Sequence, residues 1–464
     1  MKKLLNIIIA LLISSFSLAF ANSGPTYWQG YPSSDIMTID KNSPIGVEGE
    51  YLTFNFSHEN RDYSIEAKVT AEYIMNNPTN ETQFVQMAFP FVERLNNINY
   101  DNIKITADGK ELLYEVYLGN PVMSNINGDD IKTKENYDFD KIANTISNDL
   151  YRAESFTADE TGKLYYIEME PTTDEMVDFT VDFVYNHEKT NVLIKNFNSF
   201  SRDENGNVRI SSGFNEPQTA EIFILGEDID FNVKGYTIGS SKEETNQFNY
   251  VIEEKEVDVK TYIMDYVRSR YGANIQHISD IQLYNLYAST LDKYFEQNMG
   301  FCSDSDIFAE SYNERIITLV YDVEFRPSSV RNVSVTYNTK GTMDKRNTVK
   351  PQYSFDYILN PAKNWSSFNN LNIKIITPQA APYIVDSSIE FTKEEGNIYT
   401  AQFEKLPEED LSFTLYPNEK ITSIDRIQGR MYRSFGYFAP IVIGIIGIVI
   451  LTAIFIIARK IKRK

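Results

Sequence analysis

Ser64-Ile65-Glu66-Ala67-Lys68-Val69-Thr70-Ala71-Glu72-Tyr73 decides how this chain is read. Ile65, Ala67, Val69, Ala71 and Tyr73 alternate with Ser64, Glu66, Lys68, Thr70 and Glu72. A period of two puts one set on a buried face and the other in water. Asn76-Asn77-Pro78-Thr79-Asn80 is then a turn cluster. The chain returns through Val85, Met87, Phe89 and Phe91. Ile103, Ile105 and Ala107 lead into Asp108-Gly109, a hairpin signal, and on to Leu112, Tyr114 and Val116.

The alternation recurs further along. Val177, Phe179, Val181, Phe183 and Tyr185 form a second set, followed by a turn at 203–207 and strands near 220–225 and 248–252. Ile317, Leu319, Tyr321, Val323 and Phe325 open a third region, which continues through Val333, Val335 and Tyr337. Leu371, Ile373 and Ile375 make another strand, and Leu411, Phe413 and Leu415 the last. Residues 72–91, 182–200 and 321–339 each read strand, polar turn, strand, the pattern of a repeated sandwich unit or of unrelated hairpins.

Between the second and third regions the period changes. Val259, Tyr262, Ile263, Tyr266 and Val267 stand at helical spacing and Gly272 closes the run. Asp280 caps a second helix with Tyr284, Tyr287, Ala288, Leu291 and Phe295 on one face. A tyrosine stripe of this kind reads as core packing.

Both ends of the chain carry address signals. Lys2 and Lys3, an apolar run from Leu4 to Phe20 and an Ala19-Phe20-Ala21 site read as a secretory signal peptide cleaved before Asn22. Residues 437–458 contain no charge. At ~1.5 Å rise per residue they reach roughly 33 Å, enough for a bilayer core of ~30 Å. Arg459, Lys460, Lys462, Arg463 and Lys464 follow at once, which places the C-terminus in the cytoplasm and the bulk of the chain outside.

The expected architecture is mainly β: two or three β-sandwich-like modules with a helical-hairpin insert and one C-terminal transmembrane helix. The divisions are a signal peptide at 1–21, an extended segment at 22–43 and a β-sandwich module at 44–123. A polar connector with a short helix near 139–150 occupies 124–160. A β module at 161–255, the helical hairpin at 256–300 and a C-terminal β module at 307–418 follow. A juxtamembrane linker at 419–436, the span at 437–458 and a basic tail at 459–464 complete the chain.

Composition excludes some functions. The expected exported part holds all 65 acidic residues and 37 of the 44 basic ones, leaving a net charge near −28. Such a surface repels nucleic acid. One cysteine, Cys302, forbids an intramolecular disulfide, so stability rests on core burial, supplied by 31 Tyr and 29 Phe. An exported fold without disulfides points to a bacterial cell surface.

Catalytic constellations are sparse. His58, His187 and His277 lack the spacing of a zinc pair. Cys302 would need a base such as His277 to act as a nucleophile, and free cysteines are usually buried and inert. Nucleophile-elbow and phosphate-loop motifs are absent from the sequence. Asp203, Asn205 and Asn207 alternate in a glycine-containing turn, the donor type calcium favours, although the pattern departs from an EF-hand and reads first as a turn. Asn127-Gly128-Asp129-Asp130 is similar. Apart from calcium no cofactor is expected. Tyr27-Trp28-Gln29-Gly30-Tyr31-Pro32 either stacks on sugar rings or staples a domain edge, and the second reading is preferred.

Val69-Thr70-Ala71-Glu72-Tyr73, Asn77-Pro78-Thr79-Asn80, Phe89-Pro90-Phe91 and Ala107-Asp108-Gly109-Lys110 together resemble bacterial exported proteins of the DUF4424 type. They are also similar to the opening β region of vault/inter-α-trypsin domains. The resemblance covers about 60 of 464 residues and implies a β fold and an exported location, not a reaction. The D-x-S-x-S metal motif that often follows such domains is missing.

Three functional readings follow. The first is a non-catalytic surface module binding an envelope polymer or a membrane protein. The second is an anchored envelope hydrolase using paired carboxylates. The third is an accessory or sensor subunit acting through a membrane partner.

Overall fold

The computed structural model describes residues 26–40, 42–56, 63–122, 139–237 and 243–461. The leader, His58, the 127–130 turn and the last three tail residues lie outside this set.

The chain is mainly β, arranged in several sheets. The largest runs Thr392–Lys393, Ile398–Phe403, Leu371–Ile376, Gly46–Asn55, Glu66–Asn76, Val330–Lys340, Lys104–Ala107 and Lys110–Glu111. A four-stranded sheet runs Met37–Thr38, Gln83–Glu93, Arg315–Phe325 and Glu115–Pro121. A third is built on Gln352–Ile358 and Leu411–Tyr416, with Tyr27–Trp28 joined at its edge through Thr342–Asp344. One core connects all three: it includes Val69, Tyr73, Met87 and Leu319, and Phe54 packs edge-on against Tyr357 and Phe413.

This arrangement corrects the expected division into modules at 44–123 and 307–418. Strands from both segments alternate within the same sheets, because neither segment has enough strands to cover its own apolar faces. Glu66–Asn76 pairs with Val330–Lys340, and Gln83–Glu93 pairs with Arg315–Phe325, each along its whole length.

The repeat pattern also has a structural meaning. Glu66–Asn76 and Gln83–Glu93 do not form a hairpin; they lie in different sheets, and the turn between them arches over the core. Arg315–Phe325 and Val330–Lys340 form a second arch on top of the first. Val177–Val184 and Thr190–Lys195 form a third in the other β unit. True hairpins occur where turn chemistry demands them. Asp108 and Gly109, both at positive φ, join Lys104–Ala107 to Lys110–Glu111.

Residues 161–258 make a second sandwich. Thr161–Pro171, Gln218–Gly226 and Thr190–Lys195 face Val177–Val184 and Asn207–Phe214 across a core of Ile167, Phe179, Ile210 and Ile222. The helices Val259–Tyr271 and Asp280–Gln297 fill the space between the two β units. Gln282, buried on the second helix, accepts from Leu118 N and donates to Ser147 O. Asp292 accepts from Tyr151 Oη, Glu154 N and Ser155 N. Burial works against its charge, but these hydrogen bonds prevail and hold the carboxyl below its ordinary range.

Two polar segments differ from expectation. The helix near 139–150 is shorter, Phe139–Asn144. The supposed linker at 419–436 contains the helix Ser423–Phe435, followed by Ala439–Ile461. Among the described residues no helix is long and apolar enough to cross a membrane. Ala439–Ile461 has 23 residues, with the side chains at 450, 454–455 and 457–461 outside the description.

The stacked arches are pinned at one end by Asn77, which is fully buried. Its Nδ2 donates to Glu81 O at 2.8 Å, Phe325 O at 3.2 Å and Arg326 O at 2.9 Å. Its Oδ1 accepts from Thr79 N and Oγ1, and its backbone N donates to Ser329 O. Asn77→Ala leaves the buried Phe325 carbonyl without this donor and is expected to lower stability by about 1–3 kcal/mol. A lower urea midpoint at unchanged slope is the measurement that checks it.

Candidate functional site

The arches close at Asn77 and open at the opposite end. Glu66, Glu93 and Lys340 stand at the free ends of their strands there, and Glu314 precedes Arg315. A cleft of about 750 Å³ opens at this end. Its floor is apolar: Phe89 stacks on Phe91 at 5.8 Å and meets Tyr337 at 4.7 Å.

Residues 27–33 form one wall. Tyr27–Trp28 pairs with Met343 and Asp344, so this segment does staple a sheet edge. The same stapling brings Trp28 and Tyr31 into the lining. Gly30 makes the close approach possible. A Cβ there would lie 2.3 Å from Lys340 O, and Gly30 N donates to Thr342 Oγ1 at 3.0 Å.

Carboxyl and amide groups complete the cleft. Arg94 grips Glu314 Oε1 through Nε at 2.9 Å and Nη2 at 2.6 Å. Glu93 accepts from Arg94 N, and Asn338 Nδ2 donates to Glu66. Burial pushes the Glu93 carboxyl up, against the Arg94 amide bond and the charge of Lys340, with Glu314 adding to the rise. A carboxyl perturbed by burial and a charged neighbour within a cleft marks a functional candidate.

Behind Tyr337 lies a second group of acids. Asp35 and Glu50 are both fully buried. Tyr73 Oη and Ile36 N donate to Asp35 Oδ1. Glu50 faces Tyr73 across paired strands, yet neither of its oxygens has a partner at hydrogen-bonding geometry. Burial raises Asp35 to about 7 and drives Glu50 well above its ordinary value, Asp35 adding to the latter. A pair of carboxyls in such surroundings keeps its protons. Ser33 and Tyr337 both line the cleft, so the segment bearing Asp35 also touches it.

Sequence reasoning missed both groups. The signal for Glu50 is present: it falls in phase with Leu52, Phe54 and Phe56, an acid on an apolar face. A bulge between Val47 and Gly49 sets that phase. Asp35 sits between very short strands and has no periodic signature.

The residues singled out from sequence lie elsewhere. Asp203 Oδ1 accepts from Asn205 N and Asn207 N, and Oδ2 from Asn207 Nδ2. These bonds hold the Asp203 carboxyl low, and the three residues serve as a hairpin turn. Among the described residues no group of three acidic, histidine or cysteine side chains is placed to hold a metal. In the concavity beside this turn Asp182 pairs with Arg209 at 2.6 Å. Cys302 is buried and burial pushes its thiol up. His277 packs on Tyr100 at 4.4 Å, and His187 lines the concavity beside Asp292.

No family model and no curated protein matches the sequence. A solved structure similar in outline is a candidate nutrient-binding protein of Legionella pneumophila, 10% identical, with 88% of this chain and 77% of that chain covered and a TM-score of 0.36. Likeness at that level bears on neither the fold nor the role of this chain.

The buried acids give a pH signature. Both are raised above their unfolded values of ~3.9–4.3, so their protonated forms favour the folded state. That contribution is complete below about pH 4 and is lost as pH rises through about 7, the value for Asp35. The unfolding midpoint should therefore fall from mildly acidic to mildly alkaline buffer. Asp35→Asn, whose Oδ1 still accepts from Tyr73 and Ile36, should flatten that slope in pH-dependent denaturation.

Proposed function

We propose that this chain is an exported, single-pass membrane protein whose cleft binds a polyhydroxylated envelope ligand without transforming it. The carrying observation is the meeting of aromatic rings with carboxyl and amide groups in one cleft. Binding sites combine apolar walls with a few fixed polar groups in this way. Trp28 and Tyr31 offer ring faces to the C–H face of a saccharide. Asn338, Glu66 and Glu93 offer hydroxyl partners. The uncharged run at 437–458 and the basic residues after it support a tether with the cleft outside the cell.

One observation favours hydrolysis as a second reading. Glu93 is biased toward its protonated form while Arg94 grips the neighbouring Glu314, the division of labour an acid and its partner carboxylate need.

Full-length protein in nanodiscs, titrated calorimetrically with soluble envelope oligosaccharides, separates the two. Under the binding reading Trp28→Ala weakens affinity at least tenfold, about 1.4 kcal/mol. Glu93→Gln then leaves most of the affinity, and no new reducing ends form. Under the hydrolytic reading reducing ends accumulate, and Glu93→Gln abolishes them.

A further inference from the structure

The helix Ser423–Phe435 is built to last. Thr422 and Asp425 close a reciprocal cap at its start, and Gly436 ends it at a φ of 50°. Successive residues turn by about 100° around its axis. On that wheel Ile424, Ile427, Met431 and Phe435 share one face. Gly429 falls on the far side, against the β unit, where a Cβ would come within 2.3 Å of Thr348 N. Arg426, Arg430 and Arg433 lie between the far side and the flank of the apolar face.

Among the described residues nothing covers the apolar face. Ile424 is 66% exposed, Ile427 58% and Phe435 46%, and Phe438 beyond the helix is 68% exposed. Asp425 is the helix's one acid and is engaged in the cap.

We propose that Ser423–Phe435 is an interfacial helix, seated on the outer leaflet with Ile424, Ile427 and Phe435 at the boundary of headgroups and acyl chains and its arginines toward anionic headgroups. Amphipathic helices with a basic polar face sink about 5–10 Å in this manner. Two features select lipid over a protein partner. Three residues, 436–438, separate this helix from the apolar helix Ala439–Ile461, so any bilayer holding the second lies beside the first. The net charge of the helix is positive on a chain whose formal net charge is −21, which suits an anionic surface. The inference rests on the tether reading. It adds that the ectodomain stands on the membrane at fixed height and tilt, because Gly429 docks the helix to the β unit.

Spin labels on the full chain test this in phosphatidylglycerol-containing nanodiscs. Labels go at Ile427→Cys and Phe435→Cys on the apolar face, Arg426→Cys on the polar face and Val449→Cys in the C-terminal helix. Buried Cys302 should stay unlabelled. The expected result is oxygen access above that of a water-soluble nickel reagent at 427, 435 and 449, with the reverse at 426. Lipid exposure at 449 with nickel access at 427 and 435 equal to that at 426 overturns the interfacial helix and leaves the tether standing. Water exposure at 449 overturns the tether and the lipid seat together. Shielding of 427 and 435 from both reagents assigns that face to a protein partner and overturns the proposal.

Discussion

The fold depends on one long-range closure. The arch of residues 66–93 leaves its strands short of partners on the sides later occupied by 330–340 and 315–325. Neither of the two sheets that hold this arch is complete until a segment more than two hundred residues downstream has arrived. The whole second sandwich and both helices are folded into the interval. Contacts this distant impose loop-closure entropy before they contribute stability. A compact intervening unit reduces that penalty, since residues 161–258 carry their own core and bring the chain back near its departure point.

Closure at one end creates the opening at the other. Asn77 ties the turns of both arches through carbonyls of residues 325, 326 and 329. The strands end at the opposite pole, where nothing in the arches themselves covers the gap. Residues 27–33 run across it, held by Thr342 and by pairing at residues 343–344. The cleft is thus a consequence of topology, and its chemistry is set by what the strand ends carry: Glu66, Glu93 and the residues after Tyr337. The buried Asp35 and Glu50 follow from the same covering segment. It brings Asp35 into a core already occupied by Glu50 and Tyr73, and protonation is what makes that tolerable.

Much of the β content was legible because period-two alternation depends on local burial, as at Ile65–Tyr73 and Ile317–Phe325. The helices at 259–271 and 280–297 were legible for the corresponding reason at period 3.6. Partnership between strands was not. A polar turn such as 76–80 looks alike whether the next strand pairs with the last or crosses to the facing sheet. The module boundaries failed on that ambiguity. The cleft was half-legible: Trp28 stood out, but Glu93, Arg94 and Glu314 are ordinary charged residues until Glu93 and Arg315 pair across the sheet. At Asp203, read first as a turn, the loop's own amides take up both carboxylate oxygens.

One short segment links the cleft to the C-terminal helices. Met343 and Asp344 pair with Trp28 and Tyr27. Lys345 N donates to Thr26 O, and Arg346 covers the Tyr27 ring at 4.2 Å. Asn347 and Thr348 then form the seat of Gly429. Six consecutive residues therefore hold the aromatic wall on one side and the helix 423–435 on the other. Displacing that helix must strain the seat, and the seat has no slack, since Gly429 already contacts backbone. The wall of the cleft and the approach to the C-terminal helix are mechanically one piece. If the chain is tethered, its cleft lies toward the base of the displayed domain, within reach of ligands held at or near the membrane surface.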